Sequence, residues 1–223
     1  MNGLLLFFKR VLYKIGIDIH FVRKEELRSA IEMNEVEVVN RAWSDPKVSH
    51  SFKSKPVLRR YQDTLDILEE HAIQLSGRSV VDVGCGNGML LKILSENYNI
   101  SSQTGMEYAE AALQLAKSVN PESRYVVHDI NFPFKEQYDA VFCTEVLEHI
   151  LHPVQAFRNI LEMVREGGIL FITVPNGRVD TYSGHINFWS PESWEVFISE
   201  NCGDLSNIAG RSGKNLLYSI IYK

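Results

Sequence analysis

Basic charge is scarce in this chain of 223 residues: 23 lysines and arginines face 28 aspartates and glutamates, for a net charge of −5. A general nucleic-acid binder needs a basic excess, so no nucleic-acid partner is expected. Cysteine is also scarce. Cys85, Cys143 and Cys202 are odd in number and far apart, with no CxxC pair, so neither a disulfide framework nor a zinc site is indicated. No metal is expected, and a reducing cytoplasm fits best. The apolar run at the N-terminus is much shorter than the ~20 residues that span a bilayer. It also lacks the basic lead and small-residue cleavage site of a signal peptide. Internal repeats and low-complexity segments are absent. What remains is a chain long enough for one α/β domain with some decoration.

That N-terminal run has a pattern of its own. Leu4, Leu5, Phe8, Leu12 and Ile15 share one helical face, and Lys9, Arg10 and Lys14 lie off it. An apolar face flanked by bases over residues 3–24 suits packing on its own domain or on a partner chain, with a membrane surface as the alternative. Helical periodicity is expected over 25–43 and 57–75, with a loop from Trp43 to Pro56 and a stop at Gly77. The division expected is an N-terminal helical extension, 1–56, and a cofactor-binding domain, 57–223.

The most informative stretch is VVDVGCGNGML, residues 80–90. An apolar, β-branched run carries one acid, Asp82, and breaks into glycines at 84, 86 and 88 before a helical pattern begins. Strand, glycine turn and helix together form the unit that binds nucleotide-like cofactors at the carboxyl end of a parallel strand. The dinucleotide fingerprint G-x-G-x-x-G fails here, because its third glycine slot holds Met89. A buried acid beside the turn would repel a pyrophosphate but would stabilise a ligand's ammonium group. Strand candidates at 79–83, 102–107, 124–128, 138–143 and 168–174 alternate with helical patterns at 88–97, 109–118 and 153–165. Alternation of this kind predicts a parallel sheet with right-handed crossovers. Ser190-Pro191 should open a helix over 191–201, and strands near 204–209 and 215–222 should close the sheet as an antiparallel pair joined by the loop 211–215.

The glycine turn with its leading acid resembles the first motif of the class I S-adenosylmethionine-dependent methyltransferases, of small-molecule, ubiquinone-biosynthesis-like type. The stretch YDAVFCTEVLEH, 138–149, resembles a second signature of that family, and GGILFITVPNG, 167–177, its fifth strand and turn. The resemblance implies an α/β fold: a Rossmann-like, doubly wound, mostly parallel sheet of seven strands, with a C-terminal antiparallel pair and an N-terminal helical prefix. It implies S-adenosyl-L-methionine as cofactor and S-adenosyl-L-homocysteine as product. The implied cofactor-binding set is Asp82, Gly84, Cys85, Gly86, Asn87, Gly88, Glu107, Tyr108, Asp129, Ile130, Cys143 and Thr144. Within it Glu107 would accept from the ribose diol, Asp129 from the adenine amino group, and Ile130 would pack on the ring. The backbone carbonyls of Cys143 and Thr144 would face the ammonium group.

Methyl transfer to an alcohol also needs a base, and histidine suits neutral pH. His149 and His185 are the candidate catalytic residues, while His152, before Pro153, reads as a helix cap. Tyr182, His185, Asn187 and Trp189 together would suit a sugar or an aromatic acceptor. The function expected is methyl transfer to an oxygen of a small-molecule or glycan acceptor. The alternatives are a Rossmann-type NAD-dependent oxidoreductase and a non-catalytic protein that binds S-adenosylmethionine.

Overall fold

The structure, a computed structural model, describes residues 24–45, 47 and 54–223. The amphipathic stretch read at 3–24 lies outside the described residues except for Lys24. Two short helices, α1 (Lys24–Met33) and α2 (Val36–Trp43), are followed by α3 (Lys55–Glu70). The alternating body runs β1 (Ser79–Val83), α4 (Met89–Asn97), β2 (Ser102–Glu107), α5 (Glu110–Val119), β3 (Arg124–Val127) and β4 (Tyr138–Thr144). A single 3₁₀ turn, Leu147–His149, leads into α6 (Pro153–Glu162) and β5 (Val164–Pro175). Then come α7 (Pro191–Asn201), β6 (Ser206–Ser212) and β7 (Leu216–Tyr222).

The seven strands form one sheet in the order β3-β2-β1-β4-β5-β7-β6. The first five are parallel, and β7 runs antiparallel between β5 and β6. The strand order reverses between β1 and β4, so the crevice beyond their carboxyl ends is where a doubly wound sheet binds ligands. Side chains alternate between two cores, one on each face of the sheet. Val81, Val83, Val141 and Cys143 pack with Phe157, Ile160, Trp194 and Ile198, whereas Val80, Ala140 and Phe142 pack with Leu68, Leu90, Leu91 and Leu94.

Four expected boundaries move. The pattern at 25–43 is two helices, because Asn34 turns its amide back to the Ala30 carbonyl and ends α1. The helix expected to reach Gly77 stops at Glu70: Ala72 takes φ +54°, and the amides of Ala72 and Ile73 return to the Glu69 and Leu68 carbonyls. That is a Schellman cap made with alanine where glycine is usual. Helix α6 ends at Glu162 and not at 165, since Val164 pairs with Tyr138 and begins β5. Strand β6 lies later than expected, so Arg211 and Ser212 pair with Leu217 and Leu216 and the connecting loop shrinks to 213–215. Ser190 caps α7 as expected, in a reciprocal box with Ser193.

Candidate active site

At the end of β1, the turn is fixed by its backbone. The amides of Gly84 and Cys85 both donate to the Met106 carbonyl, at 2.8 and 3.0 Å. Gly84 has φ +73°, and a Cβ there would sit 2.4 Å from Val146 Cγ2. Gly86 has φ +49° and lies under the ring of Trp43 from α2. Asp82 is 2% exposed and its Oδ1 has no hydrogen-bond partner. Burial, and then the charge of Glu107, push its carboxyl well above the usual range. A buried carboxyl oxygen with no donor is costly unless a donor or cation meets it. The α-ammonium group of an amino-acid ligand is such a partner.

Glu107, at the end of β2, holds the turn from the other side. Its Oε2 accepts from the Gly86 amide at 3.2 Å, and its Oε1 from the Tyr108 and Ala109 amides at 2.9 and 3.1 Å. Burial raises its carboxyl, and the three backbone donors pull the other way. Asp129 closes an Asx turn, accepting from the backbone and side-chain nitrogens of Asn131.

The end of β4 is built from side chains. Glu145 has φ +57°, a left-handed conformation without glycine, which costs ~1–2 kcal/mol. Its carboxylate accepts from Thr173 Oγ1 at 3.3 Å and from Arg60 Nη1 at 3.0 Å. Glu148 is 1% exposed, and neither carboxyl oxygen has a hydrogen-bond partner. Burial, then the charge of Glu145, hold this carboxyl well above its ordinary range. The Glu148 carbonyl accepts from the Ile186 and Asn187 amides, stapling the loop after β5 to the turn after β4.

The staple brings two histidines face to edge, with ring centroids 4.7 Å apart. His185 Nδ1 lies 2.5 Å from Asp180 Oδ2 and His149 Nδ1 lies 3.3 Å from the Gly184 carbonyl. Both partners accept, so both Nδ1 atoms carry protons. Each Nε2 lies 3.9 Å from Glu148 Oε1. Burial, and then the neighbouring His185, push His149 down to about 4. Burial would raise Asp180, but the hydrogen bond from His185 and the backbone donors bring it below its usual value. Glu148, His149 and His185 together offer ligand atoms within 4.8 Å of one another, a spacing that could hold a metal ion. Both histidines were expected as bases, but no metal-ligand spacing in the sequence joined them to Glu148.

One cavity of about 1450 Å³ joins the two ends, lined by Asp82, Gly86 and Glu107 on one side and by Glu145, Glu148, His149 and His185 on the other. A family model described as "Methyltransferase domain" matches residues 55–201. The chain belongs to the methyltransferase domain family. Among curated relatives, the ubiquinone biosynthesis O-methyltransferase of Bordetella avium is 31% identical over 65% of this chain and 61% of its own length. That of Nitrosospira multiformis is 30% identical over 68% of this chain and 64% of its own. The matches thus span less than two thirds of those relatives. Two solved structures share the fold. The N-methyltransferase NodS from Bradyrhizobium japonicum, in complex with S-adenosyl-L-homocysteine, has a TM-score of 0.65 at 17% identity over 84% of this chain and 97% of that one. The plantazolicin methyltransferase BpumL has a TM-score of 0.65 at 17% identity over 90% and 99%.

Most residues expected to form the methyltransferase's site do line this cavity: Asp82, Gly84, Cys85, Gly86, Asn87, Glu107, Tyr108, Asp129, Ile130, Thr144, His149 and His185. Gly88 and Cys143 do not. Gly88 is the left-handed residue that opens α4, packed under the Tyr125 hydroxyl. The Cys143 side chain is fully buried in the core, because strand alternation turns it to the face covered by α6 and α7. Two residues expected to face an acceptor have other work. Asn187 donates to the carbonyls of Leu147 and Ile150, and Trp189 packs in the core. His152 occupies the N-cap position of α6 without a side-chain cap bond. The sequence reading missed Asp180, Arg60 and the pairing of Glu148 with both imidazoles. Glu148 lay within the recognised signature, but nothing local announced its burial.

Proposed function

We propose that this methyltransferase uses S-adenosylmethionine to methylate an oxygen of a small-molecule or glycan acceptor, with His185 as the base. One observation carries the reading: a single cavity holds an unpartnered buried acid beside a glycine turn at one end and an aspartate-oriented histidine at the other. The cofactor, when bound, supplies a methyl carbon made electrophilic by its sulfonium. Asp82 would receive the ammonium group, Glu107 the ribose diol, and Asp129 with Ile130 the adenine. Asp180 keeps the proton of His185 on Nδ1, which leaves Nε2 to take the acceptor's proton and stabilises the imidazolium that forms. His149, held to about 4, is neutral at physiological pH and flanks that base. The names of the ubiquinone relatives support an oxygen acceptor.

Calorimetry tests the cofactor assignment. S-adenosylmethionine and its demethylated product should bind at the micromolar scale, because their ammonium group supplies the donor that the buried Asp82 carboxyl lacks. Asp82→Asn should greatly weaken that binding. Binding of NAD with neither sulfonium ligand nor product bound would overturn the reading. A panel of phenol, catechol and sugar acceptors with labelled methyl donor then identifies the atom, and label found only on nitrogen would replace the oxygen assignment.

The cluster of Glu148, His149 and His185 favours one second reading, in which these residues would hold a divalent cation that would lower the pKa of an acceptor hydroxyl, its proton passing to solvent. Turnover abolished by chelation and restored by added metal would establish it over the free base. Among the described residues no helix is long and apolar enough to cross a membrane. The three free, buried cysteines suit the cytoplasm, and residues 3–24 are the segment proposed to touch a membrane surface.

A further inference from the structure

Helices α1 and α2 precede the matched domain, yet they touch both ends of the cavity. On the cofactor side, Asn40 Oδ1 accepts from the Ala111 amide at the start of α5, and the Trp43 ring lies over Gly86. The Tyr108 hydroxyl, one residue past Glu107, donates to the Asn34 carbonyl at 3.2 Å. On the acceptor side, Asn34 Nδ2 donates to the Gly184 carbonyl at 2.8 Å as well as to Ala30. Both hydrogens of that amide are therefore used, one to end α1 and one to grip the acceptor loop. The α1 end and the acceptor loop are close-packed here: a Cβ on Gly184 would meet Tyr182 at 2.6 Å and Met33 at 3.3 Å.

The Gly184 carbonyl is shared. It also accepts from His149 Nδ1, and Gly184 directly precedes His185. One carbonyl thus separates the N-terminal elbow from both imidazoles. We propose that Asn34 is a positioning residue that latches the helical pair across the cavity, so that contacts made at Tyr108 on the cofactor side fix the orientation of His149 and His185 on the other. This rests on the reading of the histidine pair as the acceptor end. It assigns to the N-terminal helices a part in catalysis and not only in covering the cavity.

Imidazole ¹⁵N NMR on the full chain tests the latch without turnover. In the ligand-free protein His149 should show one tautomer, protonated at Nδ1. Asn34→Ala should give a mixture of tautomers, and Tyr108→Phe a smaller change in the same direction. S-adenosyl-L-homocysteine should shift the His149 and His185 signals in the natural protein and leave them still in Asn34→Ala. In the methylation assay, Asn34→Ala should lower kcat by between about 10- and 100-fold with cofactor affinity little changed. The double variant with Tyr108→Phe should lose no more than Asn34→Ala alone, since the two residues act in one chain. An unchanged His149 tautomer in Asn34→Ala, or additive losses in the double variant, would overturn the latch. Retained turnover in His185→Ala would instead sink the base assignment, a separate result.

Discussion

The glycine turn after β1 and the acidic turn after β4 lie at two ends of one cavity and are stabilised in different ways. The first holds its shape with backbone hydrogen bonds to Met106, and its positive φ angles fall on glycines. The second also requires a positive φ, but places it on Glu145, and the cost is offset by partners from distant segments. Arg60 and Thr173 hold the Glu145 carboxylate, and residues 186 and 187 hold the Glu148 carbonyl. A turn held through its own amides, by the Met106 carbonyl and the Glu107 carboxylate, accepts almost no side chain at its glycines. A turn stabilised by remote side chains can be adjusted one partner at a time, which suits the end proposed to meet the acceptor.

Substitutions can break this contrast. The largest effect should come from Gly84→Val, which combines a disfavoured φ with a clash on Val146 and should weaken cofactor binding by more than ~100-fold in calorimetry. Since Val146 belongs to the acidic turn, Val146→Ala should restore part of that loss. Full recovery would show that the contact, and not the backbone, sets the glycine turn. At the acidic end, His185→Ala should cut turnover by ~10²–10⁴-fold and leave cofactor affinity within about twofold. A matching loss of affinity would mean that the two ends are one unit.

The smallest effect concerns pH. His149 is pushed down from 6.5 to about 4, so the unfolded chain binds its proton first as pH falls. Stability from this group is present above pH 6.5 and lost as pH drops toward 4. With its ring partly exposed, the loss should be on the order of 2 kcal/mol. Denaturant melts of the natural protein and His149→Gln should converge across that interval, and parallel curves would remove His149 from the account.

The glycine turn was legible because its chemistry is contiguous: acid, glycines and helix start follow one another from Asp82 to Met89. The alternation of strands and helices was legible for the same reason, since each element carries its own periodicity. Helix ends were harder. Ala72 takes the left-handed position that Gly77 seemed to offer, because the closing bonds to Leu68 and Glu69 depend on where the chain must turn toward the sheet. The packing role read for the Cys143 side chain is the one it has, while which core it enters follows from strand alternation in the assembled sheet.

The sequence by itself determined the family's cofactor turn, the order of the elements and the two histidines, all through residues close in the chain. Only the tertiary structure decided what those histidines face. Asp180 reaches His185, Asn34 reaches Gly184 across 150 positions, and Arg60 reaches Glu145 across 85. Such partners leave no local pattern. Their hydrogen bonds and their burial exist only once the sheet has brought separate loops to one end.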